Sequence, residues 1–150
     1  MMSDLLRGDG LTTLAILFLW SFAAATILPL SSEIPLAVAI RQSSGWWAPV
    51  VVATAGNYLG SCTTYWLARG VVARVDLDTR PRVRHAAALL RRVGPPALLL
   101  SWVPLIGDVI VALAGAAKVS FGWFSLWVTV GKGGRYLAVA WLVARWGRPS

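Results

Sequence analysis

The stretch Leu28–Ala39, LPLSSEIPLAVA, decides how we interpret the whole chain. The range 10–40 holds one charged residue, Glu33, and Pro29 and Pro35 lie on either side of it. A carboxylate at the centre of an apolar membrane segment costs roughly 2.5–3.5 kcal/mol, and prolines disrupt helical hydrogen bonding. Irregular backbone at membrane depth is tolerated only against protein or a water-filled cavity. We therefore predict a re-entrant hairpin whose tip presents Glu33 to a cavity. The alternative is two ordinary helices joined by a polar turn at the surface.

The composition indicates an integral membrane protein built from helices. Of the 150 residues, 57% are hydrophobic and 13% charged, and the mean hydropathy is +0.68. Soluble domains average about 25% charged residues. Nine tryptophans fit the preference of aromatic rings for the headgroup region. The net charge of +8 comes largely from arginines beside apolar runs, which favours anionic lipid headgroups as partners. No nucleic-acid recognition motif is present, so we predict no nucleic-acid binding.

Apolar runs predict two hairpins and two membrane-spanning helices. The first hairpin combines a helix over Leu11–Leu28 with a shorter limb over Glu33–Ile40, which is too short to cross alone. Trp47–Leu67 is the first predicted spanning helix. The second hairpin falls within Val93–Ala117, and Val119–Ala144 is the second spanning helix.

A basic segment, Arg69–Arg92, separates the two halves of the chain. It holds seven arginines against two aspartates, so the positive-inside rule predicts that it lies in the cytoplasm. Pro81 is suited to the first turn of a helix. We therefore predict a short amphipathic surface helix over Arg82–Val93 that contacts anionic headgroups.

The two halves resemble each other when the chain is shifted by 75 positions. The coinciding residues are Pro29 with Pro104, Leu30 with Leu105, Glu33 with Asp108, Ala37 with Ala112, Gly56 with Gly131, Trp66 with Trp141, and Leu67 with Leu142. We predict a single membrane domain over residues 1–150, with repeat 1 at about 11–69, a linker at about 70–92 and an inverted repeat 2 at about 93–145. Chance coincidence in an apolar chain is the alternative.

Charged and polar residues inside the apolar runs are the candidate proton or substrate pathway: Glu33, Asp108, Lys132, Arg135 and Asn57. If the hairpins meet near the midplane, the two acids approach each other. Low dielectric and a neighbouring like charge then favour a protonated carboxyl group, as proton coupling needs. One alternative is a closed salt-bridge network that only joins the repeats. Another is that Lys132 and Arg135 extend to the membrane interface.

Prolines and glycines are the candidate shaping residues. We assign the hairpin geometry to Pro29, Pro35, Pro104 and Gly107. Close helix packing is assigned to Gly56, Gly60 and Gly131, the first two of which form a GxxxG spacing.

Four motifs together resemble the DedA family of membrane proteins, also called SNARE-associated or VTT-domain proteins, and its short YqaA-like branch. They are LPLSSEIPLAVAI from Leu28, AGNYLG at Ala55–Gly60, LLLSWVPLIGDVIVALAG at Leu98–Gly115 and GKGGRY at Gly131–Tyr136. The resemblance implies two opposed re-entrant hairpins in the bacterial inner membrane and a role in lipid homeostasis. It also implies movement of phospholipids or polyprenyl phosphates between leaflets, with proton dependence in some members.

The motifs allow individual residues of this chain to be matched to residues of the family. Glu33 matches the acidic residue of the first hairpin, Pro104 the proline of the second, and Gly56 and Gly60 the glycines of the first spanning helix. The chain departs from the family at Ser101 and Gly107, where the wider family has arginines around the proline. We infer that Lys132 and Arg135 supply the missing positive charge.

Together with these patterns, the resemblance implies a multi-pass inner-membrane lipid transporter, similar to a flippase or scramblase, whose paired acids are candidates for proton coupling. A non-transporting membrane scaffold is the main alternative, and an intramembrane aspartyl peptidase is the other. One histidine and one cysteine cannot form a zinc-ligand cluster. We predict no enzyme activity, metal or cofactor. Two spanning helices offer little surface to enclose a pathway, so we expect a homodimer.

Overall fold

We describe the protein from a computed structural model, which covers residues 10–26, 31–71 and 81–146. Every regular element within these ranges is helical, which confirms the predicted all-α class for that part of the chain. The α-helices are α1 (Gly10–Thr26), α2 (Glu33–Gln42), α3 (Trp47–Val71), α4 (Pro81–Val93), α5 (Ile106–Ala116) and α6 (Phe121–Trp146), and a 3-10 helix covers Pro95–Trp102.

The chain divides into two compact units. The first unit takes residues 1–60 and 133–150, and the second takes residues 61–132. The long helices α3 and α6 each contribute to both units, because the divisions fall after Gly60 and after Lys132. Each unit consequently contains one of the two predicted hairpins.

The first unit is held together by close packing of α1 against α3. A Cβ atom at Gly56 would lie 2.5 Å from the carbonyl oxygen of Phe18, and one at Gly60 would lie 2.5 Å from that of Phe22. Only glycine permits this approach. The buried core of the unit consists of Leu17, Leu36, Ala39, Val50, Ala53, Tyr136 and Ala140.

Helix α2 covers the predicted short limb of the first hairpin, and its start corrects one expectation. Pro35 was expected to disrupt a helix, yet it lies in the first turn of α2 and is fully buried. Backbone N–H groups in a first turn have no partner within the helix, so a proline there removes no hydrogen bond. Pro29, the other proline of this stretch, lies outside the described residues.

The second unit contains the amphipathic helix α4. Ala86, Ala87 and Leu90 are buried, and α4 packs on α5 and the 3-10 helix. The predicted helix over Arg82–Val93 is therefore present, with Pro81 in its first turn. The apolar face of α4 is therefore covered by other helices of the unit, while Arg84, Arg91 and Arg92 are exposed.

The stretch predicted to form the second hairpin folds into the 3-10 helix, a turn and α5. The turn contains Pro104 and Leu105, and Leu105 has a positive φ of 67°. A Cβ atom at Gly107 would collide with the backbone of Ser101, which explains why glycine is needed in the first turn of α5. On α6, a Cβ atom at Gly131 would lie 2.6 Å from the carbonyl oxygen of Leu99.

The predicted long helices are present as α3, with 25 residues, and α6, with 26 residues. Among the helices in the described ranges, however, none is both long enough and apolar enough to qualify as a membrane-spanning helix. The prediction of two long helices is thus confirmed, whereas the prediction that they span the membrane is not. The inverted repeat, the re-entrant hairpins and the single-domain assignment stay predictions.

Candidate functional site

The first unit contains an ion pair between Glu33 and Arg135. Glu33 lies in the first turn of α2 and Arg135 lies on α6. The Nη2 atom of Arg135 is 2.8 Å from Oε1 of Glu33, and its Nε atom donates to the same oxygen at 2.9 Å. The side chain of Arg135 is 19% exposed and that of Glu33 is 44% exposed. The pair is thus short and charge-assisted, and its carboxylate remains accessible.

A buried hydrogen-bond network lies beside this ion pair. The hydroxyl groups of Ser32 and Tyr136 share a hydrogen bond at 2.6 Å, and Nδ2 of Asn57 donates to the Tyr136 oxygen at 2.8 Å. All three residues are buried. Ser32 precedes Glu33 and Tyr136 follows Arg135, so this network fixes the start of α2 against α6 where the ion pair forms.

The start of α2 has no side-chain cap. Ser32 occupies the N-cap position, yet its hydroxyl group makes no hydrogen bond to the helix backbone. Just before it, the carbonyl oxygen of Ser31 accepts a hydrogen bond from Nε1 of Trp20 at 3.3 Å. The hydroxyl group of Ser31 lies 3.5 Å from Oε2 of Glu33, at the limit of a hydrogen bond.

The second unit contains a looser ion pair, between Asp108 and Lys132. The Nζ atom of Lys132 is 3.9 Å from Oδ1 of Asp108, with the lysine side chain 5% and the aspartate side chain 41% exposed. Asp108 lies in the first turn of α5, as Glu33 does in α2. Each hairpin acid therefore sits at the start of a short helix and pairs with a cation of α6.

The structure distributes the predicted pathway residues as follows. Glu33, Arg135 and Asn57 lie in the first unit, where Arg135 contacts Glu33 and Asn57 joins the Tyr136 network. Asp108 and Lys132 lie together in the second unit. The predicted approach of the two acids to each other stays a prediction.

The buried hydroxyl groups of Ser32 and Tyr136 were missed by the sequence-based selection of site residues. Both lie next to predicted pathway residues, Ser32 within LPLSSEIPLAVAI and Tyr136 within GKGGRY. Polar residues that interrupt apolar helices usually find a partner, and this would have been the signal. In the second unit, the buried side chain of Ser101 has no hydrogen-bond partner in the described part of the chain.

Metal binding finds no support in residues 10–26, 31–71 and 81–146. No three histidine, cysteine, aspartate or glutamate side chains of these ranges lie close enough to hold an ion.

Comparison with known proteins gives the family. The VTT domain matches residues 28–145, which is most of the chain. This chain belongs to the DedA family of VTT-domain proteins. The DedA resemblance seen in the sequence motifs is thereby confirmed.

Two relatives cover most of this DedA-family chain. The inner membrane protein YqaA of Escherichia coli K12 is 40% identical over 125 residues, which is 83% of this chain and 86% of YqaA. An uncharacterized protein of Haemophilus influenzae is 38% identical over 138 residues, or 87% of each chain. No solved structure gives a significant match.

Proposed function

We propose that this DedA-family protein lies in the bacterial inner membrane and moves lipids with phosphate headgroups between the two leaflets. The observation that carries the proposal is the accessible Glu33–Arg135 pair at the start of a short helix. Intramembrane charges usually pair with one another or face a water-filled pathway. We propose that an ion pair that is also accessible can attract a phosphate and respond to protons.

Exposed tryptophans support the membrane location. Trp47 and Trp66 are exposed on α3, and Trp123 and Trp141 are exposed on α6. At 1.5 Å per residue, the first two are about 28 Å apart along their helix and the second two about 27 Å. The hydrocarbon core of a bilayer is about 30 Å thick, and tryptophan prefers its two edges. The name of YqaA, an inner membrane protein, points to the same location.

Helix lengths support the re-entrant part of the proposal. Helix α2 has 10 residues and α5 has 11. These lengths correspond to about 15 Å and 17 Å, roughly half of a bilayer core. We propose that both hairpins enter and leave the membrane on one side, that the second half of the chain is inverted relative to the first, and that the segment Arg69–Arg92 is cytoplasmic.

The chemistry that we assign to the pathway is electrostatic. Arg135 attracts the phosphate of a phospholipid or a polyprenyl phosphate, because a guanidinium group binds phosphate through two parallel hydrogen bonds. Glu33 and Asp108 are the candidate proton carriers, and Lys132 supplies positive charge to the second hairpin. No covalent step is involved, and we assign no catalytic residue.

A membrane scaffold is the second candidate function. The observation that favours it is the ion pair of the second unit, in which the Lys132 side chain is only 5% exposed. A buried pair of this kind can serve to fix helices together, without any transport. A homodimer is compatible with either function.

Lipid movement in vesicles tests the proposal. Full-length protein is reconstituted into liposomes with labelled phospholipid in one leaflet, and the loss of asymmetry is followed over a panel of headgroups. We expect exchange faster than in empty vesicles, and a decrease of about tenfold or more in Arg135→Gln, because the phosphate loses its bidentate partner.

Arg41→Gln is the matched control, because it removes an exposed arginine from the other end of α2. Its exchange rate should equal that of the wild type. Equal rates in protein-containing and protein-free vesicles for every headgroup would favour the scaffold.

A further inference from the structure

We infer that the end of α3, together with the turn before α6, holds the headgroup of an anionic phospholipid of the surrounding membrane. The site consists of two cations, Arg69 and Lys118, and the exposed rings of Trp66 and Phe121, and we call it the Arg69 site. All four residues belong to the second unit. The lipid bound there is a fixed neighbour of the protein and is not carried between leaflets. Such a site requires the proposed membrane location but not the proposed transport.

The guanidinium group of Arg69 is held in one orientation by its neighbours. Its Nη1 atom donates to the hydroxyl oxygen of Tyr65 at 2.6 Å and to the carbonyl oxygen of Val119 at 3.4 Å. The same group lies over the rings of Tyr65 and Trp66, at 5.8 and 5.6 Å from their centroids. Tyr65 is buried and donates to the Val119 oxygen as well. Because Arg69 is already ordered, a ligand that binds it loses less free energy to the immobilisation of a side chain.

The other edge of Arg69 is available to an anion. Both hydrogen bonds of Arg69 to described residues use Nη1, so Nε and Nη2 have no protein acceptor in this part of the chain. These two atoms can bind a phosphate through two parallel hydrogen bonds. Among the described residues of the second unit, Asp108 is the only acid, and its ion pair is with Lys132. Arg69 consequently has no carboxylate counter-charge within the described residues.

A lysine occupies the turn after α5 at a backbone position that favours glycine. Lys118 has a positive φ of 54°. Its N–H group bonds the carbonyl oxygen of Gly115, and the N–H group of Val119 bonds that of Ala114, which is the hydrogen-bond pattern of a Schellman motif. Glycine is the usual residue at this position, because a side chain at positive φ is strained. The exposed Lys118 thus adds a second positive charge, next to the residue whose carbonyl group Arg69 bonds.

Exposed aromatic rings border the two cations and point to a lipid. Trp66 is 53% and Phe121 39% exposed, with their ring centroids 5.6 Å apart. Tryptophan prefers the edge of the hydrocarbon core. Arg69 follows Trp66 by three residues on α3, which is about 4.5 Å along the helix axis. Since the headgroup layer on each side of the core is about 5–7 Å thick, Arg69 would lie at the depth of the lipid phosphates.

Lipid-dependent stability tests the Arg69 site. Full-length protein in neutral detergent is titrated with dioleoyl phosphatidylglycerol or with dioleoyl phosphatidylcholine, and the unfolding temperature is followed, because a ligand of the folded state raises it with concentration. Each cation near a membrane surface contributes about a fivefold preference for anionic lipid. We therefore expect the wild type to reach half of its full stabilisation at a concentration of phosphatidylglycerol about 25-fold lower than that of phosphatidylcholine.

Two variants of the site should each lower this preference about fivefold. Lys118→Gly removes a charge and also relieves the strained backbone, so its unfolding temperature without added lipid should equal or exceed that of the wild type. A purely structural lysine would not separate stability from lipid preference in this way. Arg69→Gln also loses the hydrogen bonds to Tyr65 and Val119, so its lipid preference is the measured quantity and not its stability. If Arg69→Gln does not fold, Arg69→Lys takes its place and should lose part of the preference, because lysine lacks the two-pronged donor edge.

Arg41→Gln is the matched control, since it removes an exposed arginine from the first unit. It should keep the wild-type preference, and an equal loss there would show that binding follows net charge and not the Arg69 site. The inference would also be overturned by equal half-saturation in the two lipids, or by a wild-type preference in Lys118→Gly. Inorganic phosphate that stabilises the protein as strongly as phosphatidylglycerol at the same concentration would replace the lipid by a free anion. Membrane-bound protein without a lipid preference would overturn the Arg69 site alone, whereas protein recovered in the soluble fraction would overturn the proposed location too.

Discussion

Tyr136 joins three elements of the first unit through one hydroxyl group. Its oxygen accepts a hydrogen bond from Asn57 on α3 and shares another with Ser32 at the start of α2. Tyr136 is itself buried on α6. The residue does not contact Glu33 through any of these bonds, so its role is to position the turn that carries Glu33.

We predict that Tyr136→Phe destabilises the protein by about 1–3 kcal/mol, because the Asn57 amide and the Ser32 hydroxyl group lose a partner in a buried place. Unfolding of the purified protein in detergent measures the change. Thr129→Val is the matched control, since it removes a hydroxyl group from an exposed position of the same helix. Equal stability of Tyr136→Phe and the wild type would show that the network contributes nothing measurable.

The charged part of the first site could be predicted from the sequence, and its hydroxyl part could not. A charge in an apolar run stands out because its burial is expensive, so Glu33 and Arg135 are visible without coordinates. Ser32 and Tyr136 are common residues in such runs. Which of them meet depends on the rotation of α2 and α6 about their axes, and that rotation is set by packing of the whole unit.

At the scale of the elements, α1 and α3 show how glycine determines helix packing. Gly56 and Gly60 lie one turn apart on α3, and the backbone of α1 passes directly over both. A GxxxG spacing in an apolar helix predicts that another helix packs closely against the glycines, but it does not predict which helix does so. The sequence likewise predicts α2 from an apolar limb and a second hairpin within Val93–Ala117. The division of that stretch into a 3-10 helix and α5 needed coordinates, because short apolar runs do not distinguish helix types.

Gly60→Ala should destabilise the first unit by about 1–3 kcal/mol, because the new methyl group would force the backbone of Phe22 away. Gly133→Ala is the matched control on α6, where a Cβ atom would meet only Thr54 at an ordinary 3.7 Å. The control should be neutral or stabilising by up to about 1 kcal/mol, since alanine is the better helix former. Denaturation of both variants in the same detergent distinguishes them, and equal losses would contradict the close packing of α1 on α3.

At the scale of the whole molecule, a membrane-spanning α3 would place its two ends in different compartments. The turn between α2 and α3 contains Ser44, and the helix α4 carries Arg84. If α3 crosses the bilayer, these two positions face opposite compartments. Because arginine exceeds acid in Arg69–Arg92, the positive-inside rule predicts that Arg84 is the cytoplasmic one of the two.

We predict that a Ser44→Cys variant reacts with a membrane-impermeant maleimide in spheroplasts, while an Arg84→Cys variant reacts only in inverted vesicles. Both are made in a Cys62→Ala background, since Cys62 is the single native thiol. The Cys62→Ala protein without an added cysteine is the control and should stay unlabelled. Labelling of both positions from the same side would remove the spanning role of α3 and, with it, the inverted arrangement.

Pro35 determines more than the geometry of its own turn. Having no N–H group, it cannot donate to the carbonyl oxygen of Ser31 four residues earlier, so α2 cannot begin one turn sooner. That unclaimed oxygen is the one that the Trp20 indole bonds. Because of Pro35, the indole of Trp20 is bonded two residues before Glu33. A protein that retains Trp20 as its sole tryptophan would therefore report movement of the start of α2 as a change in fluorescence emission.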